Sequence, residues 1–257
     1  MKLIVAMRQL PDLVEELELD SSGKDIDREY LTFVSNEWDE QALEEALLLK
    51  EATGAEVCVV ALDEPDVDST LYTALAKGAD RAVKLTGIPE GWMSTHDRAA
   101  ILSAWLAEQS YDLIMTGVQA ADDLDGQLAA IVAARLGLPH AAVVVRVDAK
   151  DGVAVVSQEL GGGTAVEAEI RLPAVLGVQT ARQPPRYAPI TRIRQAMNAG
   201  GLEEAPAAVT PGVRPGLRRL FPPQRSGQAE MLEGAPADVA ERIIDILRSK
   251  GLIDAGA

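Results

Sequence analysis

The sequence predicts an α/β protein built on a parallel sheet, with an added antiparallel hairpin section and an extended C-terminal arm. Short apolar runs alternate with helical patterns through the first half of the chain. Such alternation is typical of a parallel sheet with helices on both faces. After Pro139 three strand-like runs follow one another directly, and from residue 182 the chain is rich in arginine and proline.

The first half contains four runs rich in Val, Ile and Leu that predict strands. They are Leu3–Met7, Glu56–Leu62, Ala82–Leu85 and Asp112–Thr116. Stretches with apolar residues on one face predict four helices between and after them. They are Glu40–Ala52, Asp68–Lys77, Ser94–Gln109 and Asp125–Leu136. Ser94 or Thr95 is suited to cap the third helix. Gly78 and Gly137 are suited to end the second and the fourth.

The middle of the chain predicts consecutive strands. Its runs are Ala141–Val147, Val153–Glu159 and Thr164–Ile170. Because only the turn signals Asp151-Gly152 and Gly161-Gly162-Gly163 separate them, we expect a meander or a pair of hairpins added to the sheet. Ala174–Val178 predicts one more buried strand.

Residues 182–225 differ from the rest of the chain in charge. They hold eight arginines, eight prolines and no lysine, against the two acids Glu203 and Glu204, a local charge of +6. Because proline removes amide donors and fixes φ, this segment predicts an extended arm with at most one short helix, near Ile190–Asn198. Ala237–Lys250 predicts an amphipathic helix. The expected division is therefore an α/β nucleotide-binding domain, 1–181, and an arm with a terminal helix, 182–257.

The overall composition excludes several classes of protein. Acidic residues outnumber basic ones by 40 to 24, so the net charge of −16 disfavours nucleic acid and anionic membranes as partners. The single cysteine, Cys58, excludes a disulfide framework and a cysteine-based zinc cluster. No apolar run approaches the roughly 18 residues of a membrane helix, and the N-terminal apolar run is too short for a signal peptide. We therefore expect a cytoplasmic protein without direct membrane insertion.

Three segments are expected at the carboxyl ends of the parallel strands, where such folds bind ligands. They are Ala6–Asp12, Ser35–Asp39 and Gly117–Gln127. A phosphate would lie on the amides near Gly126–Leu128, at a helix N-terminus, and would need no basic side chain. An ordinary helix cap by Asp125 also explains much of this pattern, and the usual nucleotide-loop signatures are missing from the sequence.

The chemistry of the individual side chains points away from an enzyme. Asp122, Asp123 and Asp125 are better explained as a solvated loop than as metal ligands in so acidic a chain. His96 and His140 are the only histidines, and no serine lies in a nucleophile elbow. We therefore predict neither a catalytic residue nor a metal site.

Six stretches, in this order and spacing, together resemble one known family. They are Val5–Asp12, Asn36–Ala46, Thr73–Arg81, Thr116–Asp122, Gly161–Val175 and Pro185–Ala188. Over nearly its whole length the chain resembles the beta subunit of electron transfer flavoproteins. The resemblance implies an adenine-nucleotide-hydrolase-like (Rossmann-like) fold and a heterodimer with an alpha subunit. It also implies one FAD at the interface, held mainly by that partner.

The resemblance further implies the partners and the site residues. Electrons would come from acyl-CoA dehydrogenases or other flavin dehydrogenases and pass to a quinone oxidoreductase specific for these flavoproteins, or to an equivalent acceptor. A second nucleotide, usually AMP, would bind in this subunit. The residues that would line its site are Ala6, Asn36, Glu37, Trp38, Asp39, Leu62, Gly117, Gln119, Ala120, Asp122, Asp125, Gly126, Gln127 and Leu128. Ile190, Arg186 and Tyr187 would dock the dehydrogenase, with Ile190 as the apolar anchor.

The chain departs from the family pattern in three places. Gln183-Pro184 replaces an asparagine-glutamate pair, and Arg192, Arg194 and Gln195 stand where lysines are common. The loop Asp122–Gln127 is shorter than in the AMP-binding type and matches the length in electron-bifurcating members, which hold a second FAD there. Three alternatives thus stay open: a bifurcating subunit, a nucleotide-binding protein or small-molecule enzyme of the same broad fold, and a structural adaptor. The long arm and terminal helix favour a subunit that wraps another chain.

Overall fold

A computed structural model of the chain describes residues 1–14, 17–29, 31–89, 93–123, 126–208, 218–222 and 231–253. Contacts divide the chain into two compact units, Met1–Leu220 and Phe221–Ala257. The helix and the strand that directly follow residue 182 belong to the first unit. The expected domain boundary between residues 181 and 182 stays a prediction.

A nine-stranded sheet organises the described part of the first unit. Its strands in chain order are β1 (Lys2–Ala6), β4 (Glu56–Leu62), β5 (Arg81–Thr86), β6 (Leu113–Gly117), β7 (His140–Lys150), β8 (Val153–Gly161), β9 (Thr164–Arg171), β10 (Ala174–Val178) and β11 (Leu202–Pro206). They lie in the order β11-β5-β4-β1-β6-β10-β7-β8-β9. The ladders from β11 to β7 are parallel, and β7-β8-β9 is an antiparallel meander. The predicted parallel sheet with an added hairpin section is confirmed.

Helices cover both faces of the sheet. In chain order they are α1 (Glu37–Thr53), α2 (Val67–Lys77), α3 (Thr95–Leu106), α4 (Leu128–Leu136) and α5 (Ile190–Ala199). One apolar cluster joins α1 and α2 to the sheet, and a second joins α3 and α4 to it. Burial of these two layers supplies the main driving force for the fold. It also holds the carboxyl ends of the parallel strands at one edge of the sheet.

Local signals explain where several helices begin and end. Ser94 caps α3 by accepting a hydrogen bond from the Asp97 amide, as predicted. Gly54 and Gly137 end α1 and α4 in the left-handed conformation. The first turn of α1 carries three acids, which interact favourably with the helix dipole. The helix therefore starts at Glu37, three residues before the predicted start.

The arm differs from its prediction. The short helix near Ile190–Asn198 is confirmed as α5, but residues 202–206 form β11, which pairs in parallel with β5 at the sheet edge. Opposite charges favour this pairing: Arg81 forms two hydrogen bonds with Glu203, and Lys84 Nζ lies 3.2 Å from a carboxylate oxygen of Glu204. Pro206 ends the strand at an edge, where a missing amide donor is tolerated. Within its described residues the arm thus has the one short helix that the sequence predicts, and in addition a strand that the sequence did not predict.

A short antiparallel hairpin that the sequence analysis did not predict lies next to β1. It consists of β2 (Gln9–Pro11) and β3 (Phe33–Ser35). The Asn36 amide donates to the Arg8 carbonyl at 3.0 Å, so the hairpin brings the start of α1 beside the end of β1. Both of these backbone segments belong to the candidate site.

The second unit contains α6 (Pro236–Ser249), which confirms the predicted terminal helix. Proline in the first turn fits a helix start, because its missing amide has no partner there in any case. None of its residues is buried. Among the described residues, no helix has the length and apolar character needed to cross a membrane.

Candidate functional site

The candidate site is a cleft of about 280 Å³ at the carboxyl ends of β1, β4 and β6. Eight residues line it: Ala6, Met7, Arg8, Asp39, Leu62, Arg98, Leu102 and Leu128. Ala6, Asp39, Leu62 and Leu128 are predicted site residues that the fold brings together here. They come from four elements that are far apart in the sequence, and the parallel ladders bring them to one edge.

Asp39 joins two strand ends to the start of α1. Its carboxylate accepts hydrogen bonds from the Arg8 amide at 3.0 Å and from the Gly117 amide at 2.8 Å. Burial raises the pKa of this carboxyl to about 7, although Arg8 and the two amides act in the opposite direction. The side chain therefore connects the ends of two strands to the start of α1. Because it is buried, its ionised form is energetically unfavourable there.

The other residues of the α1 start divide between buried and exposed positions. The Asn36 side-chain amide donates to the Gln119 carbonyl at 2.9 Å, and its own side-chain oxygen is buried without a partner in the described residues. Glu37 is exposed and Trp38 is half-buried. A Cβ on Gly117 would lie 2.6 Å from an Asp39 carboxylate oxygen, so the close approach of α1 to β6 requires glycine there.

The loop after β6 folds around one buried carboxylate. Asp123 Oδ1 accepts the amides of Ala120 and Gly126, each at 3.2 Å. Gly126 has a φ of +60°, and a Cβ there would lie 2.8 Å from the Val118 carbonyl oxygen. Gln119 and Gln127 are exposed. Asp125, predicted as a helix cap and site residue, lies outside the described residues.

Two buried arginines enter the cleft, and sequence analysis missed both. Arg8 forms an ion pair with Asp122, and its Nη1 lies 3.9 Å from Asp123. Arg98, in the first turn of α3, forms an ion pair with Glu64 and lies 3.9 Å from Asp122. Burial and, after it, the nearby Arg98 charge lower the pKa of Arg8.

The position of both arginines was nevertheless visible in the sequence. One directly follows the first predicted strand, and the other lies in the first turn of a predicted helix, so both belong to the carboxyl edge. We expected a ligand here to contact backbone amides and no basic side chain, whereas two arginine side chains line the cleft.

The predicted docking residues have different environments. The Arg186 guanidinium binds Glu44 and Glu51 of α1 through hydrogen bonds of 2.7–3.1 Å. These carboxylates, Glu44 foremost, raise the pKa of Arg186 above its ordinary value. Tyr187 is 80% exposed and Ile190, the first residue of α5, is 60% exposed. Arg186 thus anchors the segment, while its two apolar neighbours face solvent.

A second buried glutamate strengthens this anchor. Glu45 is fully buried and accepts hydrogen bonds from the amides of Val147 and Arg182, and its Oε1 lies 2.9 Å from Arg182 Nε. Gln41 accepts the Ala181 amide at 2.9 Å. One face of α1 therefore holds the chain from residue 181 to residue 186 in place.

The one cysteine of the sequence, Cys58, is buried and is not activated as a nucleophile. Burial raises the pKa of the Cys58 thiol to about 11, so the thiol stays protonated at neutral pH and is a poor nucleophile. Within the described ranges, no group of three or more His, Cys, Asp or Glu side chains is placed to hold a metal ion.

Comparisons with known proteins give a consistent result. The family model described as electron transfer flavoprotein domain matches residues 25–210. The chain is similar to the electron transfer flavoprotein subunit beta of Methylophilus methylotrophus, with 36% identity over 260 residues that cover 96% of this chain and 98% of that protein. It is also similar to that of Dictyostelium discoideum, with 26% identity over 98% of this chain and 99% of the relative. A relative in Acetobacterium woodii, named caffeyl-CoA reductase-Etf complex subunit CarD, is 30% identical over 98% of this chain and 100% of its own length.

Proposed function

Because this chain belongs to the beta subunits of electron transfer flavoproteins, we propose that it pairs with an alpha subunit and that the heterodimer carries electrons from flavin dehydrogenases, such as acyl-CoA dehydrogenases, to the respiratory chain. One FAD at the interface, held mainly by the alpha subunit, supplies the electron-storing chemistry when bound. A quinone oxidoreductase specific for these flavoproteins, or an equivalent acceptor, takes the electrons. In this proposal the subunit's own residues position partner proteins and exclude water.

The observation that carries this proposal is the anchored segment that exposes Tyr187 and Ile190. Buried Glu44 and Glu45 bind Arg186 and Arg182. The backbone that directly precedes Tyr187 is therefore fixed. A rigid apolar anchor binds with a small loss of conformational entropy, which is typical of interface hot spots. A carrier that must meet a dehydrogenase repeatedly needs such a preformed surface.

Exposed aliphatic side chains near the β2-β3 hairpin support an interface for the alpha subunit and its flavin. Val14 is 92% exposed, and Leu13 and Val34 are exposed as well. A flavin ring needs an apolar wall that keeps water away, and burial of these side chains against a partner would be favourable. These exposed aliphatic side chains therefore fit a role in which the other subunit holds the FAD and this chain shields it from water.

The bifurcating alternative is favoured by one relative, whose name places it in a caffeyl-CoA reductase-Etf complex. A bifurcating subunit would hold a second FAD at the carboxyl edge of this sheet. The part of the cleft that can hold the centre of a water molecule is only about 10 Å³, and two arginine side chains line it, whereas ligand pockets usually measure about 300–1,000 Å³. The single-flavin carrier is therefore our first proposal.

Co-expression with the alpha subunit tests the carrier. We expect a yellow heterodimer with about one FAD, which a flavin dehydrogenase reduces, while this chain expressed alone is flavin-free and poorly soluble because its partner surface is uncovered. Absorption spectra and gel filtration provide the measurement. A stable, flavin-saturated monomer of this chain would contradict the heterodimer.

Substitution of the proposed anchor tests docking. Ile190→Ala should lower kcat/KM for reduction by the dehydrogenase roughly 10- to 30-fold, as for other apolar hot spots. FAD content should be unchanged, because Ile190 is exposed. Leu160→Ala removes a similarly exposed aliphatic side chain from β8 and serves as the control. Loss of FAD together with the rate would instead make Ile190 part of the subunit interface.

A further inference from the structure

The cleft at the carboxyl ends of β1, β4 and β6 does not fit the second nucleotide that the family resemblance implies. Its volume of about 280 Å³ includes the part open to solvent. The side chains of Arg8 and Arg98 enter it, and the free space beyond them is at the scale of a single water molecule. A nucleotide would therefore have to displace protein side chains before it could enter.

One of the amides predicted to bind a phosphate, that of Gly126, already has an anionic partner. Asp123 Oδ1 accepts the amides of Ala120 and Gly126, each at 3.2 Å, and the carboxylate is nearly inaccessible to solvent. Gly126 is one of the residues to which the sequence analysis assigned phosphate binding. A phosphate could reach its amide only by displacing a buried carboxylate, which has no other described amide to accept.

The charges around the cleft also oppose another anion. Arg8 and Arg98 supply two positive charges. The carboxylates of Asp122, Asp123 and Glu64 lie within 4 Å of them and supply three negative ones. A nucleotide phosphate would add negative charge to a group in which acids already outnumber bases. The ion pairs would have to break to receive it, leaving buried charges without partners.

Some donors in the cleft remain without protein partners. Arg8 Nε and Nη1 and Arg98 Nε are buried and have no hydrogen-bond acceptor among the described residues. Water molecules of the size that the remaining space admits can satisfy them. A filled site that also holds one water molecule is therefore compatible with these donors.

We propose that the side chains of Asp123, Arg8 and Asp122 fill the place where the second nucleotide would bind. This subunit then holds neither AMP nor a second FAD. Asp123 accepts the Gly126 amide, which a phosphate would use, and Arg8 lines the remaining space and neutralises Asp122. This inference rests on the proposed function, because a second nucleotide is implied only for this family. The heterodimer is then a carrier with a single nucleotide cofactor.

Nucleotide release from the wild-type heterodimer is the first test. The complex is incubated with excess AMP, freed of unbound nucleotide by gel filtration and denatured, and the released nucleotides are identified and counted. We expect about one FAD and no AMP. One AMP or a second FAD per heterodimer overturns the proposal. A preparation without FAD would contradict the carrier function, while its AMP count would still decide the question of the second site.

A variant that empties the cleft is the second test. Arg8→Ala combined with Asp122→Asn removes the side chain that fills the site and one carboxylate that opposes an anion. We expect this heterodimer to bind AMP in calorimetry while the wild type does not. The control is Lys150→Ala with Asp151→Asn, which removes an exposed ion pair elsewhere. If the variant keeps its FAD and its fold but still binds no AMP, these side chains do not exclude the nucleotide; if it does not fold, the wild-type count decides.

Discussion

At the scale of single residues, Gly117 allows two elements to meet at the candidate site. A Cβ at this position would lie 2.6 Å from an Asp39 carboxylate oxygen and 2.7 Å from the Trp38 carbonyl carbon. Gly117→Ala should therefore push the start of α1 away from β6 and lower the free energy of unfolding by about 1–3 kcal/mol. Urea denaturation of the variant measures this loss.

The matched control for Gly117 is Gly201→Ala. Its added methyl group would meet only a Leu75 methyl group, at the ordinary contact distance of 3.4 Å, and its φ is not in the left-handed region. We expect it to change the stability by less than about 0.5 kcal/mol. Equal losses in the two variants would contradict the close approach at Gly117.

Asp39 gives the site a testable dependence on pH. Burial raises its pKa to about 7, whereas an unfolded aspartate titrates near about 3.9. Between these values the folded protein holds a proton that the unfolded chain has lost. The contribution of Asp39 to stability is therefore full below about pH 4 and is lost as the pH rises through about 7.

Asp39→Asn removes this titration. Relative to the variant, the wild type should lose stability from pH 5 to pH 7, by on the order of 1 kcal/mol per pH unit. Urea denaturation of both proteins at several pH values gives the difference directly and cancels the titration of the other acids. A difference that stays constant with pH would show that Asp39 is ionised throughout.

The site was only partly predictable because its charges are set by tertiary contacts. Strand ends and helix starts located Ala6 and Asp39 at one edge, since parallel strands place these positions together, and the family resemblance added Leu62. The pairing of Arg8 with Asp122, 114 residues away in sequence, depends on the order of β1 and β6 in the sheet. A single sequence does not state that order.

At the scale of elements, β11 is the one part of the described arm that the sequence did not predict. Its sequence, Leu202-Glu203-Glu204-Ala205-Pro206, has low strand propensity and two adjacent acids. Its pairing with β5 is favoured because Arg81 and Lys84 of β5 form ion pairs with Glu203 and Glu204. The helices and the buried strands, by contrast, carry their own apolar periodicity and were predicted from local pattern alone.

Helix α1 positions the proposed docking segment, and Glu44 is the residue through which this can be tested. Glu44→Gln replaces the carboxylate that holds the Arg186 guanidinium and backbone amide. We expect the free energy of unfolding to fall by about 1–3 kcal/mol. The KM for reduction by the dehydrogenase should rise up to about tenfold, with kcat and FAD content unchanged, because the segment is less fixed.

Glu51→Gln is the control for this positioning role. Glu51 binds only one nitrogen of the same guanidinium and is largely exposed, so its loss should change the stability by less than about 1 kcal/mol. The KM should stay near that of the wild type. A Glu44 variant that loses stability but keeps its KM would show that the anchor is purely structural.

At the scale of the whole molecule, charge is distributed unevenly. The chain carries −16 overall, yet α5 contains Arg192 and Arg194 and no acid. Both side chains are exposed and lie close in sequence to Ile190. The two other arginines near this segment, Arg182 and Arg186, are paired with glutamates of α1. A local positive surface on an acidic protein steers it towards a partner with an acidic face.

This distribution predicts that the encounter with the dehydrogenase depends on salt. Raising the ionic strength from about 0.05 M to about 0.5 M shortens the screening length and should slow association roughly tenfold. Arg192→Glu with Arg194→Glu should slow association at low salt and remove most of the salt dependence, while the interface FAD is kept.

The control, Arg146→Glu with Lys150→Glu, makes the same change in net charge on β7, away from α5. Stopped-flow reduction of the flavin at several salt concentrations distinguishes the two variants. If both slow association equally, the net charge governs the encounter; if only the α5 variant does, the local surface around Ile190 directs it.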